Sequence, residues 1–396
     1  MADRPGTFDG VHRRNLSKLL ALVHLEGPLS RARLTAATGL NRSTVAALAG
    51  ELVDAGLVEE RAPDPTNRVG RPSPVVAPHP DVMAVTVNPE VDAVTIAAVG
   101  LDGRIAVRER LEVDHLVTPE ETADLVGRTI ERWRGDVLGS SRLVAVGLAV
   151  PGLVRASDGL IRLAPHLEWT DAPLRALVEA ATGLPAFVGN DASLGALAEH
   201  LFGAGRGVDD IVYLNGGASG IGGGLIVHGQ PIGGSGGYAG EFGQNRPGIP
   251  SAEDRRATGG VLEDEVSRAR LLAVVGLPAA DEPTLASALA AALAEPDTPE
   301  ATEVAAELAR QRRILSTALA NAVNVLNPSL VVLGGFLATV AESDPDALAA
   351  AVAAQAMPAA GEELVIRIAA LGEDRLAIGA AELAFERLLA DPLSEG

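Results

Sequence analysis

Twice along this chain, short apolar strands run into helices and then into a further strand. That repeated alternation restricts the fold more than any other feature. Residues 83–87, 93–99 and 105–111 read as strands, with Leu101-Asp102-Gly103 as the turn between the last two. A helix over 119–134 and a strand over 143–150 follow. A second unit starts near Asp210, with a strand at 211–214, a glycine-rich turn and a return strand at 224–227. Helices dominate from 261 to 322, a last buried strand spans 330–333, and the chain closes in a helix over 375–389. Two successive halves of this kind imply an α/β fold of two lobes with a cleft between them. Residues 277–302, rich in alanine, proline and acid, read as a surface helix with flexible edges.

The first 80 residues follow a different pattern. Leu16, Leu19, Leu20 and Val23 recur at helical spacing, and Gly27-Pro28 stops that helix. Ser30 suits an N-cap for a helix from Arg31 to Thr38. Gly39 supplies a tight turn, and Asn41 caps a third helix carrying Val45, Leu48 and Leu52 as its apolar stripe. Strands at 57–61 and 75–76 flank a polar tip at 63–72. Three helices and a hairpin are the layout of a winged helix-turn-helix, and Pro78 to Pro80 reads as a linker after it.

In such a module the N-terminal side chains of the third helix reach base edges in the major groove. Here they are Asn41, Arg42, Ser43 and Thr44. Arg31 and Arg33 on the second helix suit phosphate contacts, which orient without specifying sequence. Arg68 and Arg71, in the tip Arg-Val-Gly-Arg-Pro, suit a narrow minor groove. A protein-interaction domain with solvated arginines is the alternative for three short helices alone. The glycine turn, the polar helix start and the arginine-bearing tip together favour duplex DNA.

Charge agrees. The whole chain carries a formal −20, yet residues 1–80 hold 10 basic and 8 acidic residues, leaving 22 and 44 for the rest. A weakly basic head on an acidic body fits a DNA reader attached to something that does not touch DNA. The chain has no cysteine, so disulfides, thiolate catalysis and cysteine-held zinc are excluded. Lys18 is the sole lysine, so no Walker-type Gly-Lys-Ser/Thr loop exists. Neither a membrane-length apolar run nor a cleavable leader is seen, and a cytoplasmic protein without membrane contact is expected.

Several motifs then converge. Val146 to Gly152, Gly189-Asn190-Asp191-Ala192, Gly216 to Gly224, Ala239-Gly240-Glu241-Phe242-Gly243-Gln244, and Asn327-Pro328 before Leu333-Gly334-Gly335 resemble, in order and spacing, the ROK family (repressor, open reading frame, kinase). The head also resembles that of the family's repressors. The resemblance implies an N-terminal winged helix-turn-helix on a two-lobed actin/hexokinase-like (ribonuclease H-like) body. The expected domains are 1–80 for the head, 81–200 plus the C-terminal helix 375–390 for the small lobe, and 201–374 for the large lobe.

The resemblance also implies a sugar kinase site that this chain keeps only in part. Asp191 stands at the family's catalytic base position, where a carboxylate takes a sugar hydroxyl proton. The family's first phosphate turn is an Asp-x-Gly-Gly-Thr loop; here the place reads Thr86-Val87-Asn88-Pro89-Glu90, without glycine and with a proline that lacks an N–H. Gly220 to Gly224 resembles the second phosphate turn, but Ala218-Ser219 replaces its usual Gly-Thr; a plain tight hairpin is the other reading of those glycines. The family's zinc site uses a histidine after Glu-x-Gly, here Gln244, and cysteines that are missing. What remains is a ring suited to a polyol: Asn190, Asp191, Glu241, Gln244 and Glu263. His166, Glu168 and Trp169 lie in the segment that approaches the sugar in relatives, where Trp169 could stack on a ring or serve the core.

These observations lead to an expected sequence-specific regulator, in the first instance a repressor, that is no enzyme and uses no cofactor or metal. Its partners would be a double-stranded operator and a sugar or sugar-derivative effector, and it would act as a homodimer or homotetramer. The rivals are a bifunctional sugar kinase with a DNA-binding head and a regulator blind to ligands.

Overall fold

The computed structural model describes residues 8–62, 73–249 and 251–394. It parts into two compact units. The first holds the chain up to Val154, Asp158–Gly189 and the residues from Leu376 onward; the second holds Arg155–Ser157 and Asn190–Arg375.

The first unit opens with α1 (Phe8–Glu26), β1 (Leu29–Ser30), α2 (Arg31–Thr38), α3 (Arg42–Asp54), β2 (Val58–Arg61) and β3 (Val75–Pro78), the strands ordered β1-β3-β2. The expected stripes are the buried ones: Leu16, Leu19, Leu20, Val23, Val45, Leu48 and Leu52 are at most 1% exposed. Gly39 ends α2 at φ 72°, a left-handed conformation that costs glycine little.

The stretch expected to be a linker is much shorter than a tether. Three residues separate β3 from β4 (Val82–Pro89), and the N–H of His79 donates to the carbonyl of Leu57 at 2.9 Å. The core of the head runs on without a break into Val82, Ala84, Val99, Leu101 and Phe385. Burying that shared apolar surface is what docks the head.

The remaining elements of this unit are β5 (Ala93–Gly100), β6 (Ile105–Glu112), α4 (Pro119–Arg134), β7 (Arg142–Val150), a small sheet of β8 (Leu153–Val154), β9 (Ile161–Ala164) and β10 (Trp169–Ala172), then α5 (Leu174–Thr182) and β11 (Ala186–Asn190). The main sheet runs β11-β7-β4-β5-β6, with β4 and β7 parallel and β4-β5-β6 antiparallel. α4 begins where Pro119 and a Thr118–Glu121 capping box dictate. Trp169 belongs to the core: it is 4% exposed, and its indole N–H donates to the carbonyl of Val117 at 2.9 Å. His166 and Glu168 are exposed.

The second unit begins with α6 (Asp191–Phe202), β12 (Ile211–Gly217), β13 (Gly220–Val227) and β14 (Gln230–Pro231). It continues with a 3-10 turn (Phe242–Gln244), α7 (Leu262–Glu265), α8 (Arg268–Val274), α9 (Glu282–Leu293) and α10 (Pro299–Leu326). Then come β15 (Leu330–Gly335), α11 (Phe336–Glu342), α12 (Pro345–Ala353), α13 (Pro358–Gly361) and β16 (Val365–Ile368). Its sheet runs β14-β13-β12-β15-β16. The last helix, α14 (Arg375–Ala390), places Phe385 in the core of the first unit.

One boundary differs from expectation, and one helix is partly buried. The division falls at Gly189, not at residue 200, because α6 packs on β13: a Cβ on Gly222 would lie 2.6 Å from Cβ of Ala192, and one on Gly224 2.5 Å from Cβ of Ala196. Within 277–302, α9 is no bare surface helix, since Leu285 and Leu289 join the core of this unit. No helix among the described residues is long and apolar enough to cross a membrane.

Candidate functional site

In the head, local chemistry aims the third helix. The side chain of Asn41 caps α3 by accepting from the N–H of Thr44 at 2.8 Å and from the hydroxyl of Ser43 at 2.7 Å. Ser30 does the same for α2, accepting from the N–H of Arg33 at 3.2 Å. Asn41, Arg42 and Ser43 are exposed and Thr44 half-buried. Arg31 and Arg33 are already engaged in ion pairs, with Glu60 and Glu26 respectively. A phosphate must compete with those carboxylates, so the two arginines start from a weaker position than free ones. Arg68 and Arg71 lie outside the described residues.

The candidate polyol ring is assembled by glycines. β13 offers an almost bare backbone, and two elements settle on it. One is α6, which carries Asp191 in its first turn, with Asn190 as its N-cap accepting from the N–H of Ser193 at 2.9 Å. The other is the turn holding Glu241 and Gln244, which approaches so closely that a Cβ on Gly243 would sit 2.3 Å from the carbonyl oxygen of Ile221. The glycine run is thus a docking floor for both elements, a role beyond a phosphate turn or a plain hairpin.

Glu263, on α7, closes the ring. One carboxylate oxygen accepts from the N–H of Ile221 at 3.1 Å, and the other accepts from the amide of Gln244 at 2.6 Å. A negative group therefore sits on a backbone N–H of the turn that resembles a phosphate cradle. Burial, together with the charges of Asp191 and Glu263, holds the Glu241 carboxyl above its usual range. Burial pushes Asp191 up to about 6, although the N–H of Ala192 and the guanidinium of Arg375 pull the other way. Arg375 is a neighbour that sequence reasoning missed, because it opens the last helix with no motif around it. The site is rich in acceptors and acidic overall, which suits a hydroxylated, unphosphorylated molecule and repels an anion.

The place corresponding to the first phosphate turn lies in the other unit. β4 passes straight through it, and the N–H of Glu90 donates to the carbonyl of Ala93 at 2.7 Å. The turn presents Glu90 and Asp92, both within reach of Arg110, at 3.8 and 2.8 Å.

The residues present do not fit the zinc ion that the family resemblance implies. The Gln244 amide is spent on Glu263, and the loop that follows brings Arg246, Arg255 and Arg256 onto its own carbonyls. Among the described residues, no cluster of three or more His, Asp or Glu is disposed to hold a metal. Chelators are expected to leave the melting temperature unchanged, since a structural metal stabilises folding only through a complete ligand set. Elemental analysis finding one zinc per chain would contradict this.

The chain is similar to both repressors and sugar kinases. The chain is 29% identical over 271 residues to a xylose repressor of Caldicellulosiruptor bescii, a match spanning 66% of each chain. It is 30% identical over 272 residues to a glucokinase of Halalkalibacterium halodurans, covering 65% of this chain and 81% of the enzyme. In fold it is similar to a crystal structure of a ROK family transcriptional regulator, a homologue of the E. coli MLC protein, with a TM-score of 0.75 at 23% identity over 97% of this chain and 98% of that one. The ROK family model matches residues 86–387, and the chain belongs to the ROK family.

Proposed function

We propose that this protein is a sugar-responsive transcriptional repressor. Its head binds duplex DNA through Arg42, Ser43 and Thr44, and an unphosphorylated sugar bound by Asn190, Asp191, Glu241, Gln244 and Glu263 releases it. The observation that carries this reading is the acidic turn after β4: Glu90 and Asp92 stand at the place of the family's first phosphate loop, where they would repel a phosphate. The carboxylate of Glu263 on the N–H of Ile221 adds to it. Kinase activity is therefore not expected, and Asp191 serves as a hydroxyl acceptor rather than a base. The xylose repressors among its relatives make D-xylose the first sugar to try. A homodimer or homotetramer on a palindromic operator follows from the symmetry that such DNA sites share with their readers.

A sugar shifts operator affinity only if it binds the DNA-competent and released states unequally. The test is operator affinity with and without D-xylose or D-glucose. Glu241→Ala is expected to keep operator binding and lose release, giving a permanently bound repressor. An unchanged sugar response would defeat the site assignment. Arg42→Ala is expected to weaken specific binding by about 1–3 kcal/mol if its guanidinium pairs with a base. Operator binding by residues 81–396 alone would overturn the assignment of the head. ATP-dependent phosphorylation of either sugar would revive the kinase reading.

A further inference from the structure

α10 is the long helix of the second unit, and its middle buries groups that helices normally keep in water. Arg310 is 2% exposed, Glu307 8% and Gln311 0%. A buried guanidinium costs several kcal/mol unless its donors are met. Here the whole fork is used. Nε donates to Glu307 at 2.8 Å, and Nη2 donates to the other oxygen of Glu307 at 2.7 Å and to the carbonyl of Glu265 at 2.6 Å. Nη1 donates to the carbonyl of Asp254 at 2.8 Å and to the carboxylate of Glu265 at 3.2 Å.

Glu265, 1% exposed, passes the tie onward. Its carboxylate accepts from the N–H groups of Arg256 and Ala257, each at 2.9 Å. Gln311 adds a reciprocal pair with the backbone of Ser267, at 3.1 and 3.2 Å. The hub thus pins both the loop around 254–257 and the start of α8 to α10. This is the loop in which the family resemblance implies metal ligands, and a guanidinium with carboxylates ties it instead.

α7 lies between those pinned segments. It has four residues, too few to hold a helix by its own hydrogen bonds. It nevertheless presents Glu263 to both Ile221 and Gln244, and the N–H of Leu262 donates to the carbonyl of Asn245 at 2.7 Å. Apolar burial of Leu262 and Val266 supplies adhesion but little direction. Buried ion networks add little net stability compared with apolar packing, and their best-supported benefit is a unique arrangement. We infer that Arg310 is a positioning residue of the sugar site, orienting Glu263 and Gln244 through Glu265 while touching no ligand itself. This inference rests on the reading of Glu263 and Gln244 as sugar contacts.

The experiment compares the full chain with Arg310→Met, Arg310→Lys and Glu307→Gln, using hydrogen–deuterium exchange and calorimetric titration with D-xylose and D-glucose. Arg310→Met should raise exchange across 254–267 by about tenfold or more, leave β15 protected, and weaken sugar binding by about tenfold, the equivalent of one lost charged contact. Arg310→Lys, which keeps the charge but not the fork, should recover part of both effects. Should Arg310→Met fail to fold, Glu307→Gln carries the same measurements with a smaller expected change. Faster exchange with unaltered sugar affinity would overturn the inference, as would exchange unaltered in all three variants. If the wild type bound neither sugar, the proposed function would fall, and exchange at the Glu263 segment would by itself decide whether Arg310 positions it.

Discussion

Glu382→Ala is expected to destabilise the N-terminal unit by about 1–3 kcal/mol, the cost of leaving a buried ring nitrogen of its partner without a hydrogen bond. Its partner is His24, on α1 of the head; the two are 8% and 3% exposed. The Nδ1–H of His24 donates to the carbonyl of Leu101 at 2.6 Å, and Nε2–H donates to the carboxylate of Glu382 at 3.0 and 3.1 Å. Both ring nitrogens thus face oxygen atoms, an arrangement that an imidazolium beside a carboxylate satisfies at both ends. Burial works against that charge. The bond and charge of Glu382, the Leu101 carbonyl and the more distant Asp102 outweigh it, so the pKa of His24 is raised from 6.5.

A histidine raised on folding stabilises fully below its ordinary pKa and loses that contribution as the pH climbs through the raised one. The urea midpoint of the unit should therefore fall from pH 6.5 toward alkaline pH. The His24→Leu/Glu382→Met pair should recover most of the stability lost in either single variant and lack this pH dependence. Both tryptophans, Trp133 and Trp169, lie in this unit, so their fluorescence reports its unfolding. Additive losses in the double variant would show that the two side chains are not coupled.

Asp191→Asn is expected to strengthen the second unit while abolishing its response to sugar. The carboxyl is shifted from 3.8 up to about 6, so the folded unit holds a proton that the unfolded chain releases between those values. Stability accordingly falls as the pH rises from about 4 to about 6 and stays reduced at neutrality, by on the order of 2–3 kcal/mol. Asparagine keeps an acceptor for the N–H of Ala192 without the charge. Calorimetry should show a higher melting temperature at pH 7 and a flatter profile across that window. If Asp191→Asn melted lower at pH 7, the carboxylate would be a stabilising partner of Arg375, and the cost assigned to its burial would be wrong. A carboxylate that costs stability at this half-buried position is what the proposed binding role calls for.

Features with causes a few residues away were legible in the sequence. The caps at Ser30 and Asn41, the Gly39 turn and the start of α4 at Pro119 all depend on neighbours within one helical turn, and each stands where expected. The alternation of strands and helices carried the fold class for the same reason, because periodicity records which face of each segment is buried. The members of the proposed sugar site were named through family resemblance, and their mutual arrangement was not legible. The glycines of β13 could have served a phosphate, a hairpin or a close packing floor, and only the approach of α6 and of the turn carrying Gln244 distinguishes these uses.

His24 and Arg310 stand in no motif and carry no local signal of their roles. Their partners lie far along the chain, Glu382 at a separation of 358 residues and Glu265 at 45. The pairing of a buried charge depends on which segments the topology brings together, and no local pattern encodes that. The sequence by itself therefore determined the elements, their order and the chemical character of the site. Tertiary structure alone decided how the head is held, where Glu263 points and what keeps it there, because those follow from long-range contacts formed only when the whole chain closes on itself.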